Sequence, residues 1–257
     1  MKSLILLLNQ TRYENKIFWR NPPAAFFTFV FPLMFLVIFN VIFGDDEFET
    51  ENGTIAASAF YVPAIIALSV VSACYTNIAM NMSFARDRGL IKRITGTPLP
   101  TWIFVSAKTL HACLIGMLLV GIIMIAGSLL YDVSVPTSTL PALMTALLLG
   151  SATFCTLGIA ITAVVPNADA SPAIVNGSAL PLLFISDVFI PMTQAPEWVT
   201  WLAKIFPIKP FSTALHTAFR SSGNNSGFEI NSLIVLTVWL AIGLIVASKF
   251  FPSSPKN

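Results

Sequence analysis

The sequence predicts an all-α membrane protein with six transmembrane helices, preceded by a helix that lies along the membrane surface. Hydrophobic residues make up 56% of the 257 and charged residues only 10%, against roughly 25% charged in a soluble domain. Apolar runs of about 20 residues, enough to cross a bilayer core, recur along the chain. Lys and Arg crowd into alternate loops, as the positive-inside rule requires of a multi-pass protein. The formal charge of +2 is too small to point to nucleic acid, and its distribution matters more than its sum.

Residues 1–20 begin MKSLILLLNQTRYENK. The apolar core Leu4 to Leu8 is shorter than the roughly 7–15 residues of a signal-peptide core, and no small-residue cleavage site follows, so the segment is expected to be retained. Arg12, Lys16 and Arg20 recur every four residues, with Leu4, Leu7, Thr11 and Phe18 on the opposite side of a helix. That pattern predicts an interfacial helix held against anionic headgroups.

The spans follow at about 24–43, 59–83, 108–130, 140–165, 171–190 and 230–251. All are expected to be helices, because an open strand leaves backbone groups unpaired in hydrocarbon. Ala142, Ala146 and Gly150 form a stripe of small residues that permits close helix packing. Cys74, Cys113 and Cys155 all fall within spans and have no Cys-x-x-Cys spacing, so no disulfide framework or metal site is expected. Between the fifth and sixth spans, residues 191–220 place Trp198, Trp201, Leu202 and Ile205 at helical spacing. Pro196 suits a first turn and Pro207 a stop, which predicts a second interfacial or re-entrant helix.

Lys2, Arg12, Lys16 and Arg20 in the first segment, the loop after the second span, and Lys249 and Lys256 in the tail place both termini in the cytoplasm. The loop GDDEFETENGT has five acids and no base, and the loop after the third span has no base either. Lys204, Lys209 and Arg220 are the exceptions on that outer side.

Most enzymatic chemistry is absent. No Gly-Lys pair exists, so the chain holds no phosphate-binding loop. His111 and His216 lack metal-site spacing, and no Gly-x-Ser-x-Gly elbow occurs. Acids near a membrane midplane, the mark of an ion path, are scarce. Asp187 lies towards the outer end of its span, and Asp169 reads as a loop or cap residue.

The densest charge is FARDRGLIKRITGTPLPTW, residues 84–102. Arg86-Asp87-Arg88-Gly89-Leu90-Ile91-Lys92-Arg93-Ile94-Thr95-Gly96-Thr97-Pro98-Leu99, with Lys108 leading into the third span, resembles the signature loop of type-2 ABC exporter permeases. Phe184 to Pro191, then Pro196-Glu197-Trp198 and Pro207, is similar to that family's fifth-span end and outer helices. The likeness covers nearly the whole chain, and the nearest group is the daunorubicin-resistance-like permeases.

The resemblance implies a half-transporter. A second permease, identical or paralogous, pairs with it, and each docks on a cytoplasmic ABC ATPase that carries the ATP and Mg. No cofactor and no catalytic residue belong to this chain. Residues 84–104 become a cytoplasmic coupling helix. Arg86, Asp87, Arg88, Gly89, Lys92 and Arg93 are expected at the ATPase, with Gly89 allowing close backbone approach and Thr97 and Pro98 ending the helix. The family more often has Glu where this chain has Asp87, and a small residue in place of Asp187. Asn77, Asn81, Asn176, Phe184 and Asp187 are expected along the substrate path between the two permeases.

The leading expectation is therefore an exporter subunit of a prokaryotic cell membrane, moving a small amphipathic drug, antibiotic or lipid. Export of a lipid-linked polysaccharide is a rival within transport. A channel or secondary carrier without an ATPase, and a non-transporting anchor on the same fold, are rivals from other classes. The basic cluster of residues 86–93 also has a plainer reading, as an orientation signal that binds anionic lipid.

Overall fold

In the computed structural model, the described residues are 2–44, 46–50, 53–97, 99–189, 191, 195–220 and 226–250. Pro98, Asn52, Ile190 and Lys256 lie outside them. The chain runs through α1 (Lys2–Trp19), α2 (Pro22–Phe43), a hairpin of β1 (Glu47–Thr50) and β2 (Gly53–Ala56), and α3 (Ala57–Val70). A π-helical turn, Val71–Thr76, joins α3 to α4 (Asn77–Asp87). Then come α5 (Leu90–Thr95), α6 (Thr101–Tyr131), α7 (Leu140–Ile161), α8 (Ser171–Phe184), α9 (Glu197–Ile205), α10 (Ile208–Arg220) and α11 (Ile230–Phe250).

Five helices among the described residues are long and apolar enough to cross a membrane: α2, the continuous α3–π–α4 rod, α6, α7 and α11. The sixth predicted span, 171–190, differs. Its helix α8 stops at Phe184 and measures about 21 Å at 1.5 Å per residue, less than the roughly 30 Å of a hydrocarbon core. Pro181 lies in its last turn, and Asp187 adopts the left-handed conformation at φ 54°, which no helix can continue through. Among the described residues the hairpin is the one departure from all-helical secondary structure. It pairs Phe48 with Ile55, and both pack on Phe43, Phe60 and Tyr61 in a small aromatic cluster.

The second span is the axis of the fold. It is 83% buried, whereas α2 and α11 are 17% buried and present most of their apolar surface outward. In the π turn the Asn77 N–H bonds the Ser72 carbonyl five residues back, the extra residue that defines a π-bulge. Gly158 of α7 lies against this turn. A Cβ there would sit 2.7 Å from the Tyr75 carbonyl oxygen and 3.1 Å from that of Cys74. The small-residue stripe continues upward on the same helix. Ala142 and Ala146 are buried, and the ring of Phe211 on α10 occupies the space a side chain at Gly150 would need. On the other side of α7, Gly243 of α11 approaches Thr156, while Thr153 Oγ1 donates to the Leu236 carbonyl at 3.1 Å.

Gly158→Ala therefore forces a methyl group onto backbone that cannot rotate away. A loss of about 1–3 kcal/mol is expected, measured as a lowered thermal midpoint of the purified protein. Gly177→Ala on α8, where none of the described residues comes within 4 Å of the added Cβ, is expected to leave stability unchanged or raise it, since Ala is the better helix former.

α10 is amphipathic and packs its apolar side on α3. His216 is buried and stacks on Phe60 with ring centroids 4.8 Å apart. Burial, reinforced by the nearby Lys209 and Arg220 cations, pushes its pKa down to about 3. Between that value and the ordinary 6.5, the unfolded chain binds a proton that the folded chain refuses. Stability is thus expected to be full above pH 6.5 and to fall as the pH drops towards 3. His216→Phe is expected to flatten this component in thermal melts taken across pH 4–7.

Candidate functional site

α4 ends at Asp87 and α5 starts at Leu90, so the charged stretch is a helix, a sharp break and a second short helix. The break needs glycine. Gly89 sits at φ 67°, a region that costs a side-chain-bearing residue about 1 kcal/mol or more. Among the described residues nothing lies within 4 Å of where its Cβ would be, so the constraint there is torsional and not one of close approach. Thr97 closes the other end: its hydroxyl donates to the Ile94 carbonyl at 2.7 Å and accepts from the Leu99 N–H at 3.3 Å. These caps satisfy groups that a helix terminus otherwise leaves unpaired.

The charges of the stretch divide into two sets. Arg86 and Asp87 face the chain itself. The Arg86 guanidinium donates to the Thr162 carbonyl at 2.8 Å and to the Val165 carbonyl, so one cation closes the C-terminal end of α7, where the helix dipole favours positive charge. The Asp87 carboxylate accepts the Ala168 N–H at 2.5 Å. Asn167 in turn takes the Ala170 N–H at 2.8 Å, just ahead of α8. The end of α4 is thereby tied to the loop joining α7 to α8. Arg88, Lys92 and Arg93 form the second set; they are exposed, as is Asp87, and Arg88 lies over the Phe84 ring at 5.9 Å.

A second charged contact joins α1 to α6. Glu14 lies on the inward stripe of α1 with Thr11 and Phe18. It meets Lys108 at 2.8 Å, with 8% and 15% of the two side chains exposed. Gln10 donates to its other oxygen at 3.2 Å. Leu4, Ile5, Leu8, Tyr13 and Ile17 of the same helix are exposed, interleaved with the exposed Arg12 and Lys16.

The residues expected along a path do not form one cluster. Asn77 and Asn81 come together on the partly open strip of an otherwise buried rod, the Asn81 amide donating to the Asn77 carbonyl oxygen. Asn176 is half-buried on the adjacent α8, which is held to the π turn by a Tyr75–Ser178 hydroxyl contact of 2.6 Å. Phe184 is exposed about 12 Å further along α8 and meets the Phe189 ring in a tilted contact with centroids 4.9 Å apart. Asp187 lies beyond the helix and pairs with Lys209 on α10, at the opposite end of the bundle from Asp87. It is a bonded corner and not a solvated helix end. On α9, Trp198 and Trp201 are both exposed, on the face their spacing predicted.

Residues 7–219 match the pattern of the family described as ABC-2 type transporter. The chain belongs to that family. It is also similar to two proteins named "Putative transport permease ycf38". One, from Porphyra purpurea, is 24% identical over 239 residues, covering 91% of this chain and 79% of the relative. The other, from Cyanophora paradoxa, is 22% identical over 246 residues, covering 91% and 84%.

The permease is accordingly a multi-pass, membrane-spanning subunit of an ABC transporter, and membership of the family implies an ATPase as a partner. Sequence reasoning missed several of the contacts just described. Glu14 is a lone acid on a basic helix, and its place on the Thr11–Phe18 stripe was the available signal. Lys209 as the partner of Asp187 had no signal, since the two lie 22 residues apart across a turn.

The Glu14–Lys108 pair is testable as a coupled unit. Glu14→Ala leaves the Lys108 charge buried without its partner, and a loss on the order of 3 kcal/mol is expected. The double change Glu14→Ala with Lys108→Met is expected to lose clearly less than the two single losses summed, in thermal melts of the detergent-purified protein.

Proposed function

We propose that this permease is half of an ATP-driven exporter. Two copies, or this chain and a paralogue, form the membrane part, and residues 84–104 of each seat on a cytoplasmic ATPase. The cargo is a small amphipathic compound (a drug, antibiotic or lipid) taken from the cytoplasm or the inner leaflet of a prokaryotic cell membrane, with both chain ends on the cytoplasmic side.

The observation that carries this reading is the division of charge in the 84–104 stretch. Arg88, Lys92 and Arg93 offer an exposed, hydrated face to a soluble protein, while Arg86 and Asp87 bind the loop between α7 and α8. A force applied to the exposed set reaches three helices at once, through hydrogen bonds to charged groups, which are stronger than neutral ones. The purely electrostatic alternative, a basic patch on anionic lipid, leaves the paired Asp87 and the capped turn without a use. The open strip with Asn77 and Asn81, next to Asn176 and Phe184 of α8, supports a path at the face between two permeases. Amide side chains on a spanning segment are costly unless they line a wet or protein-filled surface.

The test is purification of the tagged permease from its own membranes in mild detergent. A soluble ATPase is expected to come with it, and Arg88→Ala with Arg93→Ala is expected to reduce the captured ATPase about tenfold or more, in keeping with the roughly 1.5–3 kcal/mol worth of a charged hydrogen bond. A permease that elutes with its oligomer intact and no ATPase would refute the reading.

A further inference from the structure

Three cysteines that are far apart in sequence meet inside the bundle. Cys74 belongs to the π turn, Cys113 to α6 and Cys155 to α7. Their sulfur atoms all lie within 4.8 Å of one another, and the Cys113–Cys155 separation is 3.8 Å. Cys74 and Cys155 are fully buried, whereas Cys113 is half-buried and leaves one side of the cluster reachable.

We propose that these three thiols form a binding site for a soft monovalent metal ion, Cu(I) or its analogue Ag(I). An ion held by three sulfurs at about 2.3 Å requires them to be about 4 Å apart in a plane. The observed spacing, 3.8 Å for one pair and at most 4.8 Å for the others, needs shifts of less than about 1 Å. A disulfide between any two requires them to close to about 2.0 Å, a far larger movement. Softness selects for thiolate-loving ions and against Mg or Ca, which take oxygen ligands. Zinc at a structural site takes four ligands, and among the described residues the cluster offers three.

Metal-bound cysteine is the thiolate, so an ion entering the cluster displaces thiol protons, and binding is expected to weaken as the pH falls. The π turn is an independent pointer. Such turns concentrate at functional sites, and the extra residue alters the phase of the rod within the turn that carries Cys74. An occupied site ties the second, third and fourth spans together at one point.

The test uses reduced, full-length protein in detergent under nitrogen, titrated with Cu(I) alone against a coloured Cu(I) chelator. One equivalent per chain is expected, with X-ray absorption reporting three sulfur neighbours near 2.3 Å. Cys74→Ser, Cys113→Ser and Cys155→Ser are each expected to weaken binding by more than the roughly 10- to 100-fold that losing an outer partner of a metal ligand costs. Binding below a tenth of an equivalent, two or fewer sulfur neighbours in the wild type, or undiminished affinity in Cys113→Ser would each overturn the site. The thiols would then be small packing residues only. The first two readings use unmodified protein, so they stand even where a serine variant misfolds.

Discussion

At Gly158, α7 lies against the carbonyls of Cys74 and Tyr75 in the π turn, closer than any side chain would permit. That single approach sets the geometry of the bundle. It fixes the distance between the second and fourth spans, and α11 and α10 then pack on α7 through Gly243 and Gly150. A π turn is an awkward element in a membrane interior, because backbone groups there have no water to fall back on. Here it is walled in by protein on a rod that is 83% buried. The same rod emerges at its far end as the charged stretch, so the most deeply buried helix is also the one that reaches the aqueous phase at Asp87.

Much of this was legible from residue order. Hydropathy found the long helices, because an apolar run of span length has few other uses. The basic loop, the tryptophan face of α9 and the small-residue stripe of α7 follow local periodicity, which sequence preserves. The short α8 was not legible. Its apolar residues continue to Phe189, but the helix ends at Phe184 and the chain then turns through a left-handed corner at Asp187, paired with Lys209. Composition cannot report a tertiary ion pair. The hairpin was hidden by its acids, since its ordering comes from Phe48 and Ile55 docking on an aromatic cluster assembled from two helices.

The site divides in the same way. Gly89 and Thr97 act through their own local backbone, and both were readable as turn chemistry. Arg86 and Asp87 act on the backbone of residues 162–168, and a carbonyl or N–H leaves no trace in sequence. The three cysteines look scattered at positions 74, 113 and 155, and three separate helices bring them within one coordination radius. Glu14 and Lys108 likewise become partners only because α1 packs along α6.

The bonds from Arg86 and Asp87 also bear on how such transporters diverge. A stretch whose inward charges grip backbone atoms of another loop cannot be grafted alone onto a relative. The donor loop must travel with its acceptor, residues 84–104 with residues 162–170. The shorter Asp87 side chain reinforces this, because a longer acid would reach past the Ala168 N–H unless that loop withdrew. Change of ATPase preference by recombination would then favour exchanges that carry both segments. Point changes would be less constrained at Arg88 and Arg93, which are exposed beside the same two short helices.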